Sequence, residues 1–185
     1  MADTSTRIVD PDVRLLATMS AALLADYVDP ESDPWGGSPF AWIRTRPSRQ
    51  RGAIGEQLVA GLSAAKGFDV VRTGDSEADR VIDGWRVEIK FSTLWENGNY
   101  TFQQIRDQQY DLCLLLGLSP FAASCWVVPK AALIELPFKE GLSHQHGGVA
   151  GRDTIWLSFK ATSPPAWLGA YGGTLAAAFE YLRRR

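Results

Sequence analysis

The residues best suited to chemistry are Asp79, Glu88 and Lys90, in the run from Asp79 to Ser92. Asp83-Gly84, set between two β-prone segments, is a two-residue hairpin signal. With that turn, Ile82 opposes Trp85, Val81 opposes Arg86, Arg80 opposes Val87, and Asp79 falls opposite Glu88. Alternation along the second strand puts Glu88, Lys90 and Ser92 on one face and Val87, Ile89 and Phe91 on the other. The second set is wholly apolar, which fixes the side that meets the core. Two facing carboxylates have Cβ atoms roughly 5 Å apart, and at an effective dielectric of 20 their charges repel by about 3 kcal/mol. The arrangement therefore calls for positive charge. Lys90 supplies one, and a divalent cation supplies more. Mg²⁺ suits such a site because it takes a few carboxylate oxygens together with water and substrate phosphate oxygens. The competing account is a surface hairpin in which Lys90 neutralises both acids.

Other polar residues cluster around this motif in the sequence. Glu56 is expected in the first turn of a helix, where the helix dipole favours a carboxylate, and it projects away from that helix's apolar stripe. Arg44, Arg46, Arg49 and Arg51 fall within eight residues and lead into the same helix; the planar guanidinium fork binds phosphate bidentately. Gln103, Gln104, Arg106, Gln108 and Gln109 crowd the segment after the hairpin, and glutamine and arginine read base edges or hold phosphate. Ser92 shares the Glu88–Lys90 face and is a candidate phosphate contact. His144 and His146 form an H-x-H pair in a loop, but no further Cys or His pair completes a tetrahedral zinc site.

Asp79 followed after a hairpin by Glu88-Ile89-Lys90 resembles the metal-binding signature of the PD-(D/E)xK nuclease superfamily. Ala78 stands where the superfamily often has proline, and Gln108 follows Gln104 where related nucleases often have tyrosine. The runs Trp35 to Arg44 and Arg51 to Glu56 are similar in texture to small type II restriction endonucleases of this superfamily. The resemblance implies an α/β fold, a restriction-endonuclease-like αβββαβ core with a central mixed sheet flanked by helices, spanning residues 53–118. It implies that Asp79 and Glu88 hold Mg²⁺, or Mn²⁺ in its place, with the carbonyl of Ile89. Lys90 would orient the attacking water and aid its deprotonation, Glu56 would support the site, and Gln103 or Gln104 would lie near it. The implied activity is endonucleolytic cleavage of double-stranded DNA, which at a symmetric site calls for a homodimer. A repair or Holliday-junction-resolving nuclease, a non-cleaving DNA-binding module and a small-molecule enzyme with a coincidental motif are the rivals.

The elements that must position these residues follow from periodicity and punctuation. Helices are expected from Pro11 to about Tyr27, from Ala53 to Lys66 with Ile54, Leu58, Leu62 and Ala65 as its apolar stripe, from Phe102 to about Gln109, from Pro129 to Leu136, and from Thr174 to the end. Prolines and glycines mark residues 30–51 as loop, and Leu94 to Asn99 as another. Strands are expected at Phe68–Arg72, on both arms of the hairpin, at the apolar run Asp111–Leu118, at Ser124–Val128 and at Thr154–Phe159.

A length of 185 residues, with 45% hydrophobic and 22% charged, fits a single domain, which the resemblance implies is a nuclease domain. Residues 1–52 would form an N-terminal helix and basic loop, and 119–185 a C-terminal extension. These figures exclude disordered, collagen-like and coiled-coil classes. No apolar run is long enough for a membrane span, and no secretory signal is visible. Cys113 and Cys125 lie in apolar surroundings without metal spacing, and read as buried thiols of a cytoplasmic protein. The net charge of −2 argues only weakly against nucleic acid, because residues 1–34 carry seven acids against Arg7 and Arg14 while residues 36–55 carry four arginines and no acid.

Overall fold

The computed structural model describes residues 10, 15, 18–19, 33–134, 140–145 and 154–185. The chain divides into two compact units, residues 1–38 and 39–185. In the first, Leu15, Thr18 and Met19 are helical; the rest of the helix expected from Pro11 to Tyr27 lies outside the described residues.

The second unit contains α1 (Ala41–Arg44), α2 (Ser48–Ala65), β1 (Val70–Arg72), β2 (Arg80–Ile82), β3 (Trp85–Thr93), β4 (Asn99–Ile105), β5 (Leu112–Leu118), β6 (Ala123–Pro129), α3 (Lys130–Ile134), β7 (Leu142–Gln145), β8 (Thr154–Lys160), a 3₁₀ helix (Ala166–Tyr171) and α4 (Leu175–Arg183). A five-stranded sheet runs β1-β2-β3-β5-β6 and a three-stranded sheet runs β4-β8-β7. Only β3 and β5 pair in parallel within the first, so the central sheet is mixed. The α/β expectation holds, with helices α2 and α4 packed against β3 and β6.

The central sheet is apolar on both faces. One face offers Val87, Ile89, Leu112, Leu114, Leu116 and Val127 to α2 and α4, whose Val59, Phe179 and Leu182 complete that core. The other offers Cys113, Leu115, Trp126 and Val128 to Phe102, Leu157 and Leu133 of the second layer. Strand β5 is buried at every residue, as its unbroken apolar run requires. Both cysteines are free and buried; burial raises the Cys113 thiol far above its ordinary range and pushes Cys125 up to about 12. Among the described residues no helix is long and apolar enough to cross a membrane.

Several expectations are corrected. The segment expected to be helical from Phe102 is strand β4, so a strand of the second sheet, not a helix, lies between β3 and β5. Tyr100, Thr101 and Phe102 are β-prone, and Tyr100 and Phe102 stack among Trp126 and Phe159. The basic stretch is not loop throughout: it holds α1 and the start of α2. Helix α2 begins at Ser48 rather than Ala53, and it turns a different face inward. Gly55, Val59 and Ser63 are buried, Ile54 and Leu62 flank them, and Leu58 is 39% exposed. Apolarity alone selects the largest side chains, whereas close approach selects the smallest. A Cβ at Gly55 would stand 2.4 Å from the Phe91 Cβ of β3. His144, expected in a loop, lies on β7; His146 is outside the described residues.

Two glycines of one helix should respond oppositely to the same change. Gly61→Ala meets nothing within 4 Å and should stabilise by about 0.5–1 kcal/mol through helix propensity. Gly55→Ala should destabilise by about 1–3 kcal/mol by prising α2 off β3. Denaturant unfolding of both variants checks the contrast.

Candidate active site

The hairpin forms in the expected register. Ile82 pairs with Trp85, Val81 with Arg86 and Arg80 with Val87. Asp83 and Gly84 both have positive φ, 47° and 84°, as a tight turn of this hand requires. One step beyond β2, the Asp79 amide donates to the Val87 carbonyl at 3.0 Å, and the Ile89 amide donates to Asp79 Oδ2 at 2.7 Å. Asp79 is thus tied at backbone and side chain to the strand that carries Glu88.

The approach to Asp79 is braced from outside. Arg86 donates to both carboxylate oxygens of Asp75, at 2.8 and 3.0 Å, which holds the exposed Asp75 carboxyl below its usual range. The Thr73 hydroxyl donates to the Ala78 carbonyl at 2.6 Å. Gln108 donates to the Ser76 carbonyl at 2.9 Å, and the Gln109 amide donates to Glu77 at 3.2 Å. The glutamine-rich segment therefore divides: Gln108 and the Gln109 amide brace the loop before Asp79, while Gln103 and Gln104 turn to the site.

A cleft of about 480 Å³ gathers Glu56, Asp79, Glu88, Ile89, Lys90, Ser92, Arg49, Arg51, Gln103 and Gln104. Lys90 Nζ lies 2.6 Å from Glu88 Oε1, with side chains 18% and 8% exposed. Burial raises the Glu88 pKa above the ordinary carboxylate value; Lys90 opposes that rise and the Asp79 charge adds to it. Glu56 is raised too, first by burial and then by Asp79, with Arg80 opposing. Ser92 is buried and structural: its hydroxyl donates to the Thr93 carbonyl and accepts from the Thr101 amide, both at 2.9 Å.

The helix-dipole argument for Glu56 is corrected. With α2 starting at Ser48, Glu56 lies more than two turns inside, beyond the reach of the N-terminal charge. Its position comes from the inward turn of Gly55 and from Arg80, whose guanidinium lies 3.7 Å from Glu56 and donates to the Asp79 carbonyl at 2.6 Å. Sequence reasoning missed Arg80; its one signal was adjacency to Asp79. Arg49 and Arg51 occupy the first turn of α2 at the cleft. Arg44, at the end of α1, lines an adjoining groove with Arg51. Arg46 is outside both, bonded to Thr45. Arg106 does not line the cleft, but its charge opposes the rise in the Glu88 pKa.

Gln103 and Gln104 reach the cleft through a bulge. Phe102 pairs with Leu157 and Ile105 with Ile155, so β4 has one residue more than β8. Gln104 takes a left-handed φ of 55°. The extra residue returns Ile105 to the core and leaves two consecutive glutamines facing away from it.

Among the described residues no group of three or more His, Cys, Asp and Glu side chains is placed to hold a metal ion. The donor set fits a metal of the Mg²⁺ kind, which needs only one or two carboxylates beside water and phosphate. Asp79 and Glu88 flank the Ile89 backbone, with the Ile89 amide donating to Asp79 Oδ2 at 2.7 Å, and both carboxylates line the cleft with Glu56.

Because these two carboxylates have raised pKa values in the fold, they favour the folded state most below the unfolded value. That contribution is lost as pH rises through the folded value. Without divalent metal, Glu88→Gln should therefore raise Tm near neutral pH, and the gain should shrink on acidification. Thermal melts at several pH values check the sign.

No protein-family model matches this chain. No curated protein matches it either. Its backbone is similar to a solved structure of a bacterial homing endonuclease, I-Ssp6803I, at 16% identity and a TM-score of 0.46, over 75% of this chain and 92% of that one.

Proposed function

We propose that this protein is a Mg²⁺-dependent endodeoxyribonuclease, of the type II restriction kind, that cuts double-stranded DNA at a specific site as a homodimer. The observation that carries the reading is the cleft in which Asp79, Glu88 and Glu56 face Lys90, with Arg49 and Arg51 alongside. Asp79, Glu88 and the Ile89 carbonyl would hold the metal, with Mn²⁺ as its substitute. When bound, the ion would acidify water and offset charge on the phosphoryl oxygens.

The chain's own residues supply the rest. Lys90, anchored to Glu88, lies where a cation can orient water and steady a phosphate oxygen. Arg49 and Arg51 offer planar forks to the DNA backbone, with Arg44 continuing the basic line. Gln103 and Gln104 present amides, which pair with base edges. Glu56, held by Arg80, adds negative potential beside the metal position. Cleavage of both strands at a symmetric site is the reason for a two-fold dimer. Two free buried thiols suit a reducing cytoplasm.

A module that binds DNA without cutting it has no use for three carboxylates facing phosphate. A repair or junction-resolving nuclease shares the chemistry, and one feature favours it: an exposed tryptophan, Trp95, at the cleft.

Supercoiled plasmids digested with Mg²⁺ should give discrete fragments, and with chelator none. Asp79→Ala and Lys90→Ala should each slow cleavage by at least about 100-fold, the scale of losing a group that handles the reacting proton or its charge. Wild type and both variants leaving DNA equally intact under several divalent ions would remove the nuclease reading. Cleavage confined to branched or damaged DNA would move it to the repair class.

A further inference from the structure

Trp95 lies outside the carboxylate–lysine motif. It follows β3, is 44% exposed, and lines both the carboxylate cleft and the groove beside it, as do Arg51 and Thr93. The adjoining groove adds Arg44, Glu96 and Asn97.

The turn that presents this indole is bonded at successive points. The Leu94 amide donates to the Leu118 carbonyl at 2.7 Å, the Trp95 amide to the Asn99 carbonyl at 2.9 Å, and the Gly98 amide to the Trp95 carbonyl at 2.8 Å. Gly98 takes the positive φ of 77° that the tight return needs. The Asn99 amide donates to Asn97 Oδ1 at 3.0 Å, and Lys160 Nζ donates to the Asn97 carbonyl. The Ala161 amide secures Gly98 at 3.0 Å. The backbone beneath the ring is fixed while the ring meets water, so binding a flat partner costs little further ordering.

Resting on the nuclease reading above, we propose that Trp95 is a stacking platform for one unstacked DNA base next to the phosphate held in the carboxylate cleft. The chemistry of the groove points to a base rather than a second phosphate. Guanidinium groups alone would suit phosphate, but Glu96 on the same groove repels it and can accept from a base amino group. An indole contacts a base face only where stacking with the neighbouring base is broken, because an intact duplex turns its sugar-phosphate backbone and base edges outward. The DNA that engages this platform therefore carries an unpaired or unstacked base beside the scissile phosphate.

The test measures binding of wild type, Trp95→Ala and Trp95→Phe, by fluorescence anisotropy with Ca²⁺ replacing Mg²⁺. The labelled probes are a single strand, an intact duplex, and the same duplex with one unpaired 2-aminopurine. Melting temperatures of the three proteins should agree, since the side chain is exposed. Trp95→Ala should lose about tenfold or more in affinity for the single strand and the unpaired-base duplex, and little for the intact duplex. Trp95→Phe should retain most of the affinity. 2-Aminopurine fluorescence should be quenched by wild type and not by Trp95→Ala. Equal affinity of Trp95→Ala and wild type for the unpaired-base probe, or an equal loss on all three probes, overturns the stacking site while leaving the nuclease reading standing. Failure of wild type to bind any of the three overturns both.

Discussion

Glu88 is a carboxylate held almost out of water at the centre of a cleft, with Lys90 at 2.6 Å and two further carboxylates, Asp79 and Glu56, adding like charge. Burial and like charge both raise the cost of its ionised form. A single lysine does not cancel them, since the Glu88 pKa stays above its ordinary value. A buried ion pair is in any case weak as a source of stability, because desolvation offsets its attraction. The rest of the unit can be understood as what is needed to keep this unfavourable group in place.

That support comes from both faces of the central sheet. On one face, Gly55 lets α2 settle onto Phe91, which carries Glu56 to the cleft and the first-turn arginines with it. On the other, the second sheet covers the apolar residues beside Glu88 and Lys90, and its bulged strand β4 sends Gln103 and Gln104 toward the same space. At the edge, Arg86, Asp75, Thr73 and Gln108 fix the loop that ends at Asp79. Apolar packing supplies the stability and holds the polar groups of the cleft in place.

Much of the site was legible because its determinants are local. The Asp83-Gly84 turn sets the register, the period of two assigns Val87, Ile89 and Phe91 to the core, and together they bring Asp79 to Glu88 without any knowledge of the remaining chain. Strand β5 announces itself by an unbroken apolar run, and α4 by Thr174, whose hydroxyl accepts from the Ala177 amide at 3.1 Å. What escaped depends on distant partners. Helix α2 starts behind Pro47 with no side-chain cap, so no capping residue marks its beginning, and its inward face is chosen by Phe91. Strand β4 owes its conformation to β8, and its polar half resembled a helix face until the bulge separated Gln103 and Gln104 from Gln108. Arg80 and Trp95 carry no motif; Arg80 is marked only by its guanidinium beside Glu56, and Trp95 only by lining the same cleft as Arg51.

The central claim is that Asp79, Glu88 and the Ile89 carbonyl form a metal position, and anomalous diffraction from crystals soaked in Mn²⁺ addresses it without relying on turnover. The account predicts an ion in contact with both carboxylates and that carbonyl, and its loss in Asp79→Ala crystals soaked in the same way. Ion density elsewhere in the molecule, with the Glu88–Lys90 pair undisturbed, would contradict it.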